Sequence, residues 1–237
     1  MTADFEQLIE KLAGKFIVLD GPDGCGKSTQ GQMLGYRLAQ AGGTVVRCKD
    51  PGGTEIGDRI RQILLSYDLS TMDVSCETLL FMASRAQLVN EVIKPAVTAG
   101  QVVICDRFVS STCAYQGALG YDTKRILELA PYAIGDCWPD LTILLDVDAE
   151  LGLSRTGRQP HHAGKNRRKN AGQLGLFDDA QVDAMEARPL DFHRRVREIF
   201  LQLGDCYPRP VTVIDGSAGI QDVQARIVEV LADARFC

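Results

Sequence analysis

No apolar run in the 237 residues reaches the roughly 20 that a membrane-spanning helix needs, so no membrane span is expected. None of the eight cysteines lies in a C-x-x-C pair, which argues against zinc and against a disulfide framework and for reduced thiols in a cytoplasmic protein. Cys25 alone, in a loop before a helix start, is expected to have a lowered pKa and some reactivity. Histidine is scarce. His161 and His162 have no partnering ligands nearby and read as loop surface, while His193, in an arginine-rich helical stretch, reads as surface or an ion-pair partner. There is no N-K-x-D motif, which excludes the usual guanine-nucleotide switch, and too little chain for a large motor ATPase. Basic charge is not in excess: the net charge is -5, which argues against a nucleic-acid-coating protein. The opening "MTADFEQLIEKLAG" is acidic and amphipathic, unlike a secretory signal. Without internal repeats or an interdomain linker, residues 1–237 are expected to form one domain.

What is present is an alternation. Apolar runs at 15–20, 44–48, 101–106, 141–148 and 211–215 read as strands buried on both faces. Helical patterns separate them. "EIGDRIRQILL" sets Ile56, Ile60, Ile63 and Leu64 on one face, and a long helix over 75–99 is expected to bend at Pro95. Further helices are expected around 123–134, 181–203 and 219–235. This order predicts an α/β fold with a five-stranded parallel sheet flanked by helices, whose ligands collect beyond the carboxyl ends of the strands. Residues 154–180, rich in Gly, Asn and basic side chains, read as a basic lid insertion.

The strongest chemical signal is "GPDGCGKST", which places Gly21, Pro22, Asp23, Gly24, Cys25, Gly26, Lys27, Ser28 and Thr29 between a strand and a helix. Its glycines let backbone N–H groups converge on phosphates at the positive end of the helix. Lys27 is expected to reach the β- and γ-phosphates of a nucleoside triphosphate and the Ser28 hydroxyl to ligate Mg²⁺. In a chain of this size the common use of such a loop is phosphoryl transfer to a small acceptor, which needs a second anion pocket and cations around the migrating group. "KDPGGT" after the second strand and "DRFVSSTCAYQG" after the third supply candidates, with Lys49, Asp106 and Arg107 at the cleft rim.

These blocks, with "LLFMASRAQLVNEVIKPAVTAG", "WPDLTILLDVDAELGLSR" and "DFHRRVREIFLQL", resemble thymidylate kinase over nearly the whole chain. That family has a three-layer P-loop kinase fold, phosphorylates dTMP to dTDP with ATP and Mg²⁺ on the route to dTTP, and is typically a cytoplasmic homodimer. The resemblance implies that Phe81 stacks on thymine and that Arg85, one turn later, donates to its O4. Thr112 would hydrogen-bond the base beside Ser111, and Tyr115 would crowd the ribose 2′ position, with Gln116 a further contact. Arg107 and Lys49 would hold the acceptor phosphate, Asp106 would act at Mg²⁺ with Ser28, and Asp23 would lie near the sugar 3′-hydroxyl and the migrating phosphoryl.

The chain departs from the family pattern in three places. Lys49-Asp50-Pro51 stands where R-E-P is usual, trading a bidentate fork for a point charge. Gly24 occupies a loop position where some members carry arginine, so the transition-state charge is expected from the lid. The lid is lengthened, and Asp183-Ala184-Met185-Glu186 stands where D-R-x-E is common, which leaves Arg155, Arg158, Arg167 and Arg168 as competing candidates. Alternative readings are a kinase for another nucleoside monophosphate or deoxynucleoside, and a P-loop ATP-binding regulatory protein without transfer activity.

Overall fold

A computed structural model describes residues 2–66, 72–156 and 188–236. Helix α1 (Thr2–Leu12) leads into β1 (Phe16–Asp20), α2 (Lys27–Gln40) and β2 (Val45–Lys49). After α3 (Glu55–Ser66), α4 (Val74–Leu88) and α5 (Lys94–Thr98) come β3 (Val102–Asp106), α6 (Val109–Ala118) and α7 (Thr123–Ile134). The chain continues through β4 (Leu141–Asp146), α8 (Ala149–Arg155), α9 (Leu190–Gln202), β5 (Val211–Asp215) and α10 (Ile220–Asp233). The five strands are parallel, in the order β2-β3-β1-β4-β5.

Because successive strand residues point to opposite faces, β1 feeds two cores. Ile17 and Leu19 pack with Leu34 and Leu38 of α2 and Ile227 of α10, while Phe16 and Val18 pack with Leu88, Phe108 and Ile126 on the other side. That is the expected three-layer arrangement. β1 is buried throughout, and β3 and β4 are buried up to their terminal aspartates; β2 and β5 are edges with Arg47 and Val213 exposed. The expectation of five doubly buried strands is corrected there, because an edge strand has neighbours on one side only.

Two helix readings are also corrected. The 75–99 helix is interrupted by a π turn, Val89–Ile93, ahead of Pro95, which sits in the first turn of α5 where its missing N–H is tolerated. Of the four apolar residues expected on one face of α3, only Leu64 is fully buried; Ile60 is half-buried, and Ile56 and Ile63 face outward. The helix expected at 181–203 is described from Leu190 onward. Of the lid expected at 154–180, the residues from 157 on lie outside the described residues, and so do Arg158, Arg167, Arg168, His161, His162 and residues 183–186.

Candidate active site

Parallel register brings the carboxyl ends of β1, β2 and β3 together, with Leu19 beside Asp106 and Asp106 beside Lys49. The phosphate loop leaves β1 here. Gly21, Gly24 and Gly26 all have positive φ, and Gly26 caps α2 without any side-chain acceptor, so the first backbone donors of the helix point to the cleft unfilled. The cleft, about 920 Å³, is lined by the loop from Asp23 to Gln30, by Lys49, Asp50, Arg61, Asp106, Arg107 and Arg155, and by the 216–220 turn after β5. Lys27 is buried, its Nζ donating to Gly21 O at 3.0 Å and Pro22 O at 2.8 Å.

The structure gives a reason for glycine at position 24. Gly24 has φ +73°, and a Cβ there would overlap the carbonyl oxygen of Gly152 on α8; a Cβ on Gly152 would in turn overlap Asp23 O. The loop tip and α8 therefore meet backbone to backbone, which leaves no room in this conformation for an arginine at 24. Gly24→Ala is expected to cost about 1–3 kcal/mol through overlap and a left-handed φ. A lower melting temperature and a raised ATP KM check it; an unchanged melting temperature would mean that the tip yields freely.

Around the loop lies a charge cluster. Arg107 holds a left-handed backbone, φ 71°, with its N–H donating to Leu19 O. Its guanidinium pairs with Asp23, donates to Ser111 Oγ at 3.1 Å and Gly21 O at 3.3 Å, and lies 5.0 Å from the Tyr115 ring centroid. Ser110 and Ser111 hydroxyls donate to Asp20 at 2.5 and 2.6 Å, so Ser111 braces Arg107 while also lining the smaller cavity described below. Burial alone would raise the Asp23 carboxyl, but the charges of Arg107, Lys27 and His193 hold it below the ordinary carboxylate range. His193 corrects its surface reading: it is buried, with Nδ1 3.9 Å from Asp23 Oδ2, and its ion-pair reading stands. Cys25 is corrected too. It is buried, and desolvation pushes its thiol up despite Lys27, so a reactive thiolate is not what the fold makes there.

At the solvent edge, Ser28 Oγ donates to Asp106 Oδ2 at 2.5 Å. Among the described residues no group of three or more His, Cys, Asp or Glu could hold a metal. Two hard oxygens side by side still fit Mg²⁺, which commonly takes one or two protein ligands and completes its octahedron with water and substrate phosphates.

A second, smaller cavity opens behind Arg107, lined by Pro51, Phe81, Arg85, Ser111, Thr112, Tyr115 and Gln116 and sharing Asp23, Asp50, Arg61 and Arg107 with the cleft. Arg85 is only 1% exposed. Its Nε donates to Asp50 Oδ2 at 2.5 Å, Nη2 to Phe108 O and Thr112 Oγ1, and Nη1 to Met82 Sδ. A guanidinium carries five N–H groups, so one on Nη1 stays available beside the cavity. Burial pushes the Asp50 carboxyl up against the pull of Arg85.

Apart from Gly21 and Pro22, whose carbonyls accept from Lys27, the described site residues expected from sequence line these two cavities: Lys49 on the cleft, and Phe81, Arg85, Ser111, Thr112, Tyr115 and Gln116 on the smaller one. Arg155 lines the cleft, but its guanidinium donates to Gly216 O at 2.8 Å and Ser217 O at 2.9 Å, tying α8 to the turn after β5. Sequence reasoning gave Asp20 and Asp50 no role, and it missed Arg61, the place of His193 beside the loop and the 216–220 turn. Only Arg61, a cation that borders both cavities from within "DRIRQILL" and donates to Pro51 O, left a signal.

A parallel sheet in this order, a glycine-rich phosphate loop after its central strand and a second cavity facing that loop define a P-loop nucleotide kinase. The family model described as thymidylate kinase matches residues 19–227. Thymidylate kinases from Pelobacter propionicus, Geotalea uraniireducens and Geobacter sulfurreducens are 39%, 40% and 41% identical over 216, 215 and 219 residues. These matches span 91%, 90% and 92% of this chain and 92%, 94% and 96% of the relatives. The chain belongs to the thymidylate kinase family.

Proposed function

We propose that the protein transfers the γ-phosphoryl group of ATP directly to the phosphate of dTMP, giving dTDP. The observation that carries this reading is the wall of Asp23, Asp50, Arg61 and Arg107 that the triphosphate cleft and the smaller cavity have in common. A group passing between the two must pass these charges.

The acceptor is already an anion and needs no strong base, so catalysis rests on alignment and charge neutralisation. Lys27 and the loop N–H groups hold the β- and γ-phosphates. Arg107, with Lys49 and Arg61 alongside, holds the acceptor phosphate; its pairing to Asp23 and Ser111 fixes the guanidinium before substrate arrives. Ser28 and Asp106 would hold Mg²⁺, which would supply charge neutralisation to the triphosphate. Phe81 and Arg85 face the pyrimidine, and Tyr115 disfavours a 2′-hydroxyl. Arg155 holds the cleft wall, so extra transition-state charge is assigned to Arg61 and Arg107 as well as to basic residues beyond 156.

The outward Ile56 and Ile63 of α3, with the exposed Leu79 of α4, support a homodimer. A cytoplasmic site of action accords with the reduced cysteines; among the described residues no helix is long and apolar enough to cross a membrane.

ADP release should be stimulated strongly by dTMP, weakly by dUMP, and little by dCMP, UMP or GMP. Chelating Mg²⁺ with EDTA should abolish it. A preference for another monophosphate would redirect the acceptor assignment, and ATP binding without stimulated ADP release would favour a regulatory protein.

A further inference from the structure

One buried carboxylate next to the acceptor cavity has no place in the mechanism above. Glu77, on the first turn of α4, is 1% exposed and does not line the cavity. Its neighbours form a pattern. Glu77, Phe81 and Arg85 follow one another at four-residue spacing and so share one stripe of α4. Facing them on α6, Thr112 and Gln116 stand at the same spacing.

The two helices are joined across the stripe at both ends. Arg85 Nη2 donates to Thr112 Oγ1 at 2.9 Å, and Gln116 Nε2 donates to Glu77 Oε1 at 2.7 Å, with Phe81 between. Gln116 is 1% exposed and lines the cavity, and among the described residues its Oε1 meets no donor. Arg188, at the entry to α9 and stacked 4.8 Å from the Phe192 ring centroid, donates to the second oxygen of Glu77 at 3.4 Å.

We infer that Glu77 is a positioning residue for base recognition: it fixes the side-chain amide of Gln116 so that a carbonyl oxygen, not an amino group, is offered to the acceptor base. An ionised carboxylate only accepts hydrogen bonds, so the end of Gln116 that meets it must be the NH₂. The opposite end is then an acceptor by necessity. Arg85 brings one free N–H to the same cavity, so the slot offers a donor and an acceptor. The imide edge of thymine or uracil, a carbonyl beside an N–H, complements that pair. Cytosine presents an amino group and a bare ring nitrogen, and it meets a like partner at both positions. A buried polar group facing a like partner loses far more than the bond itself, which is how such sites discriminate.

The inference rests on the dTMP reading, and calorimetry of nucleotide binding tests it apart from phosphoryl transfer. In Glu77→Gln the new amide can accept from Gln116 or donate to it, so the orientation is no longer imposed while volume is kept. Binding of dTMP should weaken about tenfold, ATP binding should stay within about twofold, and the preference for dTMP over dCMP should fall by the same factor. If the variant binds dTMP and dCMP in the wild-type ratio, the proposal is overturned, even if its melting temperature falls. Should the variant not fold, dTMP methylated at N3 decides on the wild-type chain. Lacking the N–H, it should bind at least tenfold more weakly, and binding equal to dTMP would overturn the assignment. A chain that shows these effects but releases no ADP would refute the transfer reading and leave Glu77 in its role.

Discussion

Replacing Lys27 with methionine is expected to lower kcat by about 10²–10³-fold, with a smaller change in the KM for ATP, on the scale of losing one preorganised donor to a developing charge. The Lys27 ammonium sits inside the loop, held by the carbonyls of Gly21 and Pro22 and 3.5 Å from Cys25 Sγ. It lies beside Arg107 and Asp23 in the same cluster, so its field acts where the phosphoryl group must cross. Methionine keeps the length and apolar stem and removes only the charge. Beyond the two carbonyl contacts of Lys27 Nζ, the loop geometry rests on glycines with positive φ and on the Asp20 carboxylate accepting from Gly21 N at 2.9 Å, which the substitution leaves in place. The variant should therefore fold and bind ATP. A kcat within about threefold of wild type would mean that the transition-state charge is carried elsewhere.

Much of this centre could be read from the chain because its demands are local. A phosphate loop needs glycine at fixed spacing, then a lysine and a hydroxyl where the helix begins. Those constraints lie within Gly21 to Ser28, and the structure places that segment between β1 and α2 as expected. Sheet order followed from alternation in the same way. What the chain did not disclose is the set of pairings made by packing. Asp23 meets His193, Asp50 meets Arg85, and Glu77 meets Arg188, each joining elements far apart in sequence. Nothing near His193 says that α9 lays it against the phosphate loop, and an arginine-rich neighbourhood argued for surface. Edge and centre strands are alike hard to separate: "TVVRC" is as β-branched as "QVVIC", and only its position at the end of the sheet exposes Arg47. Gly24 is the informative middle case. Its lack of a side chain was visible, but the reason, the backbone of Gly152 against it, was not.

Arg85→Ala is the second large effect, and it should appear in two quantities at once. From sequence, Arg85 had one task, to donate to the base. The fold adds another, because it neutralises Asp50, which is 2% exposed and accepts no hydrogen bond at Oδ1 among the described residues. Removing the arginine strands a buried carboxylate, at a cost of about 3–5 kcal/mol in stability. It also withdraws a guanidinium donor that faces the acceptor cavity, so the KM for dTMP should rise at least about tenfold. Loss of binding could be blamed on loss of fold, and a paired change separates the two. Asp50→Asn combined with Arg85→Met removes both charges and keeps most of the volume, and replacing both members of a buried pair is often close to neutral. The double variant should regain most of the lost melting temperature while its KM for dTMP stays high. Recovery of both would assign Arg85 to the fold alone. If neither recovers, the Asp50 carboxylate shapes the cavity in its own right, through the backbone N–H it aligns with Asp106 O at 3.0 Å and the turn it opens at Pro51.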